Sequence, residues 1–266
     1  MTNAHDQPKA SSLDLGPHPD ESIAKLRWFN LAMGGLHLLQ GIALVALSNN
    51  CRAPVTGSFL GGPPGTPAQL TELFSIPFGW GVAAFVFLSA IAHFLIAGPL
   101  FGAYSRQLRQ GRTDFRWIEY ALSASWMIVL IAMLTGASDF AALLGLFGVN
   151  AAMILFGLIA ERSGQPGGSG WQLPFWLGTL FGAVPWIIIA INLWAPGQDS
   201  SAPTFVYVIF VTIFVFFDSF AVNFWLQYRR VGRWRSYLFG ETAYVVLSLV
   251  AKSLLAWQVF AGALAS

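Results

Sequence analysis

The stretch Gly240–Ser266, GETAYVVLSLVAKSLLAWQVFAGALAS, decides how the rest of the chain is read. Its apolar run is long enough to cross a bilayer, which takes about 20 residues. Lys252 sits in the middle of that run. An ammonium at membrane depth costs on the order of 3 kcal/mol even on the most forgiving scale. The plain alternatives are a structural ion pair or a snorkelling side chain. Snorkelling fits poorly, because Lys252 lies about 20 Å from the outer end of its helix at the usual helical rise. The reading that accounts for the position is an amine used covalently, as an imine with an aldehyde.

Composition points the same way. Of 266 residues, 56% are hydrophobic and only 10% charged, and the mean hydropathy is +0.62. A soluble domain carries about 25% charged residues, so the chain reads as an integral membrane protein. The lone cysteine, Cys51, rules out an internal disulfide and a thiolate metal cage. No His/Cys/Asp/Glu cluster has zinc spacing, no Gly-rich phosphate loop is present, and no basic patch suits nucleic acid. The expectation is therefore no metal, no nucleic acid and no enzyme. Residues 1–22 are polar and rich in Pro and Ser, and lack the apolar core of a cleaved signal peptide. They read as a mobile tail ahead of a membrane domain over 23–266.

Seven apolar spans follow, at about 25–48, 77–104, 113–136, 138–161, 172–194, 203–228 and 238–264. None shows the alternation of a transmembrane barrel strand, and backbone groups in lipid must bond internally, so the fold class is an all-α seven-helix bundle. The one long connection, 49–76, is too rich in Gly and Pro for a helix; turns with a short hairpin suit it. The link between spans three and four is about Ala137–Ser138, which makes those helices antiparallel neighbours.

The Lys and Arg count sets the expected orientation. Lys9, Lys25, Arg27, Arg106, Arg109, Arg112, Arg116, Arg162, Arg229, Arg230, Arg233 and Arg235 fall on one face, Arg52 alone on the other. That bias places the N-terminus in the cytoplasm and the C-terminus outside.

Polar residues inside the spans can then be placed. His37 and Gln40 share a face of span one, and Ser89 and His93 a face of span two. Span three holds Glu119 with Ser123 one turn on, span four Asn150, span six Asp218, and span seven Ser248 one turn before Lys252. A lone histidine reads as a satisfied helix–helix contact. Two polar pairs, a carboxylate and a lysine in one bundle point to a shared polar cavity. Glu119 is the natural partner of Lys252: the lysine side chain leans towards its helix N-terminus, which brings it to the level of Glu119. Pairing of Glu119 with Arg116 at the interface is the alternative. The phenylalanines of span six read mostly as lipid-facing bulk, with some available to line a slot for a flat conjugated ligand.

Seven spans, a lysine in the last and a carboxylate in the third resemble the retinal-binding rhodopsins. The inverted orientation and the segments RWIEYALSAS (116–125) and SLVAKSLLAW (248–257) resemble heliorhodopsins in particular. The resemblance implies all-trans retinal joined to Lys252 as a protonated Schiff base, with Glu119 as counterion. It implies a polar cavity matching His37, Gln40, Ser89, His93, Trp117, Tyr120, Asn150 and Ser248 by position. Met153 and Ile154 match ring contacts, as do Trp176 and Phe217. The family is one of slow photoreceptors without detectable transport. They are homodimers in which the first outer loop, here 49–76, takes part. A cytoplasmic signalling partner follows from that role, but the sequence does not name it. Asp218 matches no family position and stands as a rival counterion.

The common proton pumps resemble a pattern with a carboxylate donor eleven residues after the counterion and a second carboxylate one turn before the lysine. Here those positions are Leu130 and Ser248. The leading expectation is a light sensor. A light-driven or light-gated ion transporter is the alternative, and a retinal-free enzyme or carrier with a Schiff-base lysine is the third.

Overall fold

The structure is a computed structural model that describes residues 13–194 and 201–265. Seven of its helices are long and apolar enough to cross a membrane. They are α1 (Pro19–Leu47), α2 (Phe78–Ala97), α4 (Asp114–Leu134), α5 (Phe140–Ser163), α6 (Gln172–Trp194), α7 (Thr204–Tyr228) and α8 (Tyr237–Val259). A short π-helical turn, Phe260–Leu264, prolongs α8 to the end expected for the last span.

Local chemistry explains where these helices begin and end. Pro19 opens α1, where a missing N–H costs nothing, and Asp20 and Glu21 in its first turn complement the helix dipole. The α4–α5 link closes as tightly as expected. Gly136, at φ +94°, takes the left-handed position at the end of α4. The Asp139 carboxylate then caps α5 by accepting the Ala142 N–H at 3.0 Å.

The second span departs from expectation. The sequence predicts one span over 77–104, but α2 stops at Ala97, and a separate short helix α3 (Phe101–Arg109) follows. The Gly98–Pro99 pair is the cause. Pro99 has no N–H to continue the ladder and disfavours helical backbone at the residue before it. α3 carries Arg106 and Arg109 in its last turn and buries Tyr104 and Leu108. It therefore lies along the end of the bundle.

Residues 1–12 of the expected tail lie outside the described residues. The remainder of that segment is held in place. The Tyr237 N–H donates to the Asp14 carbonyl at 2.9 Å, and Leu13 and Leu15 pack on the core at that end.

The long connection forms an antiparallel hairpin, β1 (Arg52–Leu60) with β2 (Ala68–Pro77), bulged at Val55/Thr56. It is pinned to the α4–α5 link. The Thr56 N–H donates to the Ser138 carbonyl at 2.8 Å, and the two hydroxyls meet at 3.0 Å. The tail and the hairpin thus mark opposite ends of the bundle. Neighbouring helices pack in the order α1–α2–α4–α5–α6, and α8 closes the ring between α7 and α1, while α6 and α7 touch little. Gly41 allows the close approach of α1 to α2, since a Cβ there would collide with the Phe87 ring. One apolar core fills the hairpin half, another the tail half, and an aromatic cluster around Trp117, Trp171 and Tyr244 the side facing α5–α7. The polar site lies where these meet.

Candidate functional site

Lys252 projects from the middle of α8 into the bundle, not towards either end. Its Nζ donates to Glu119 Oε1 and to Ser89 Oγ, both at 2.6 Å. Ser89 Oγ in turn donates to the same carboxylate oxygen at 2.7 Å. The triangle joins α2, α4 and α8. The lysine and glutamate side chains are 4% and 10% exposed, so the pair is desolvated and its attraction is little screened. The Tyr120 ring face lies 5.1 Å from the ammonium and adds a cation–π contact.

On the other side of Lys252 lies a cavity of about 140 Å³ with almost wholly apolar walls. Trp117, Tyr120, Met153, Ile154, Phe217 and Phe224 line it, and Lys252 and Ser248 stand at its polar end. A long apolar molecule with one group reactive towards an amine fits this arrangement. The cavity wall passes between α6 and α7, where Phe175, Gly178 and Thr179 face Phe217 and Phe220.

The other expected site residues fall into two sets. His37 and His93 are brought together as stacked rings, centroids 5.6 Å apart. His93 Nδ1 bonds Asn30 Oδ1 at 2.7 Å, a partner the sequence reading passed over. Among the described residues, both ring nitrogens of His37 and Oε1 of Gln40 are buried with no protein partner. Buried polar groups without a protein partner suit small polar molecules held beside them.

Three expectations need correction. Trp176 is 60% exposed on the outer face of α6; the helical period puts Phe175, Gly178 and Thr179 at the cavity instead. Asn150 is buried but does not line the cavity: its amide donates to Ser125 Oγ at 3.1 Å, tying α5 to α4. Asp218 is not buried in the bundle. It lies on an exposed stripe of α7 with Val211, Phe214, Val215, Val222 and Trp225, on the same helical face.

Arg116 does not pair with Glu119. Its guanidinium bonds Glu161 Oε1 at 2.8 Å and also pairs with Glu241. Around them, Trp117 and Tyr237 hydrogen-bond Glu161, Tyr104 bonds Glu241, and Thr113 bonds both carboxylates. This buried cluster lies one turn towards the tail end from Glu119. The sequence reading missed both glutamates because each stands at the rim of its span, where a charge normally meets water. The extra signal was their shared level: Glu161 ends α5 and Glu241 begins α8, so antiparallel helices bring them to the same depth.

The fold is similar to that of a light-driven proton pump from Leptosphaeria maculans, with a TM-score of 0.61 over 91% of this chain and 95% of that one. At 15% sequence identity the likeness is one of fold alone. No curated protein matches the chain. The family model of heliorhodopsin matches residues 26–264, nearly the whole length. The chain belongs to the heliorhodopsin family.

Proposed function

We propose that this protein is a light sensor that holds all-trans retinal on Lys252, with Glu119 as the counterion, and signals without pumping ions. The observation that carries the reading is the Lys252–Glu119–Ser89 triangle at the head of an apolar cavity. When bound, retinal supplies visible absorption and a light-driven change of shape. The chain supplies the rest. Lys252 anchors one end, and Glu119 stabilises positive charge on its nitrogen. Ser89 fixes the carboxylate's position. Trp117, Met153, Ile154 and Phe217 clamp a flat apolar body and exclude water. Ser248 and Tyr120 border both this cavity and the polar one beside it. The polar cavity of Glu119, His93 and neighbouring His37 receives the proton that leaves the nitrogen after light, and the resulting loss of charge reshapes the tail end.

Transport is the weaker reading. Leu130, at the donor position of common pumps, packs in the apolar core, and Ser248 stands where a second carboxylate would be. The orientation we infer has the N-terminus in the cytoplasm, the C-terminus outside and lipid around the bundle. A homodimer through the hairpin fits the exposed Phe59, Leu60, Leu70 and Phe74 on it, and a cytoplasmic partner would read the tail end.

The test is the visible spectrum of the purified protein after addition of all-trans retinal. A visible band that is absent in Lys252→Ala is the expected result. A colourless wild-type protein would overturn the reading and favour the retinal-free enzyme or carrier.

A further inference from the structure

The Arg116 cluster has one charge too few. Glu161 and Glu241 have side chains 0% and 2% exposed, and Arg116, at 5%, is the one cation paired with either among the described residues. Two ionised carboxylates would leave a net negative charge in a region shielded from bulk solvent, which is unfavourable. A proton on one of them removes it.

The hydrogen bonds say which one. Glu161 is surrounded by donors. Oε1 accepts from Arg116 and from the Tyr237 hydroxyl at 2.9 Å. Oε2 accepts from the Thr113 N–H at 2.9 Å and the Trp117 indole at 2.6 Å. An amide, an indole and a guanidinium cannot accept a proton in return, so Glu161 is the carboxylate. Glu241 has different neighbours. Apart from Arg116 they are hydroxyls, Tyr104 at 3.1 Å and Thr113 at 3.2 Å, and a hydroxyl can either donate or accept. The remaining titratable group packed against the cluster on α8 is Tyr244, whose ring lies under the Arg116 guanidinium. On α7 it is Tyr228, whose hydroxyl bonds the Glu161 carbonyl.

Glu241 also borders a second cavity, of about 40 Å³, large enough to hold water. Glu119, Ser248 and His93 border the same cavity, with Tyr104 and Arg116. We infer that Glu241 holds a proton in the dark, and that this cavity links the stored proton to the nitrogen of Lys252. When that nitrogen has lost its proton to the Glu119 and His93 side, the proton of Glu241 passes through cavity water to it, and the proton held on that side then returns through the same cavity to Glu241, so the cluster carries its extra negative charge only in passing. The supply role rests on the retinal reading above; the stored proton does not.

Infrared spectroscopy of the protein without retinal tests the storage directly. A carboxylic acid and a carboxylate differ in C=O stretch. Subtracting Glu241→Gln from wild type should reveal one protonated carboxyl. The same signal should vanish in Glu161→Gln, because Glu241 must then ionise to balance Arg116. Persistence of the acid signal in either variant overturns the inference. In the pigment, Glu241→Gln should leave the dark spectrum near wild type and slow recovery of the visible band after a flash about tenfold. Unchanged recovery overturns the supply role. The apoprotein measurement reads the stored proton even if no pigment forms.

Discussion

Replacing Glu119 by Gln removes the negative half of the buried pair while keeping nearly the same shape. At 2.6 Å and an effective dielectric of about 20, the lost attraction is about 6 kcal/mol. The neighbouring Ser89 hydroxyl offsets part of this. Removing one partner of a buried pair typically costs about 3–5 kcal/mol. With 1.4 kcal/mol per factor of ten, the ratio of protonated to unprotonated nitrogen should fall by about a hundredfold or more. After addition of retinal, Glu119→Gln should therefore be mainly an ultraviolet-absorbing form at neutral pH, and acid should restore a visible band. Any remaining visible band should lie to the red, because less negative charge holds the positive charge near the nitrogen. Glu119→Asp should be milder, since it keeps the charge and loses only reach. Asp218→Asn is the control. Asp218 faces outward from α7, so its substitution should leave the colour titration unchanged. If Asp218→Asn loses the protonated form and Glu119→Gln keeps it, the counterion assignment is wrong.

The orientation predicts that a tag after Ser266 is labelled by a membrane-impermeant reagent on intact cells; labelling only after permeabilisation would reverse it. Illuminated cells making the protein should show no pH change in their suspension, and a change abolished by a protonophore would promote the transporter. Asn150→Leu, which breaks the bond to Ser125, should lower stability by about 0.6 kcal/mol, the average for such bonds in membranes, and leave the colour alone. A large spectral shift there would restore Asn150 to the chromophore site. Leu70→Glu on the exposed strand of the hairpin should convert a dimer to a monomer in size-exclusion chromatography; an unchanged dimer would place the interface elsewhere.

What the sequence by itself determined was the set of properties carried by length and one-dimensional pattern. Seven runs of about 20 or more apolar residues can only be helices in lipid, and a lysine in the last demands a partner. Two apolar runs separated only by about Ala137–Ser138 made the short α4–α5 turn legible, and the Gly and Pro of 49–76 pointed to a hairpin. Glu119 was within reach because it is a carboxylate inside a span at the depth of Lys252. Rotation about a helix axis was not available from the runs. Asp218 and Phe217 are adjacent, and only packing decided that one faces out and the other lines the cavity. The same rotation separated Trp176 from Phe175 and turned Asn150 towards Ser125. The Arg116–Glu161–Glu241 cluster draws on three helices, each contributing one charge near its end. Sequence reads such residues singly as interfacial; only the tertiary structure, by closing α3 and the segment before α1 over that end of the bundle, removes them from water and makes them one buried group.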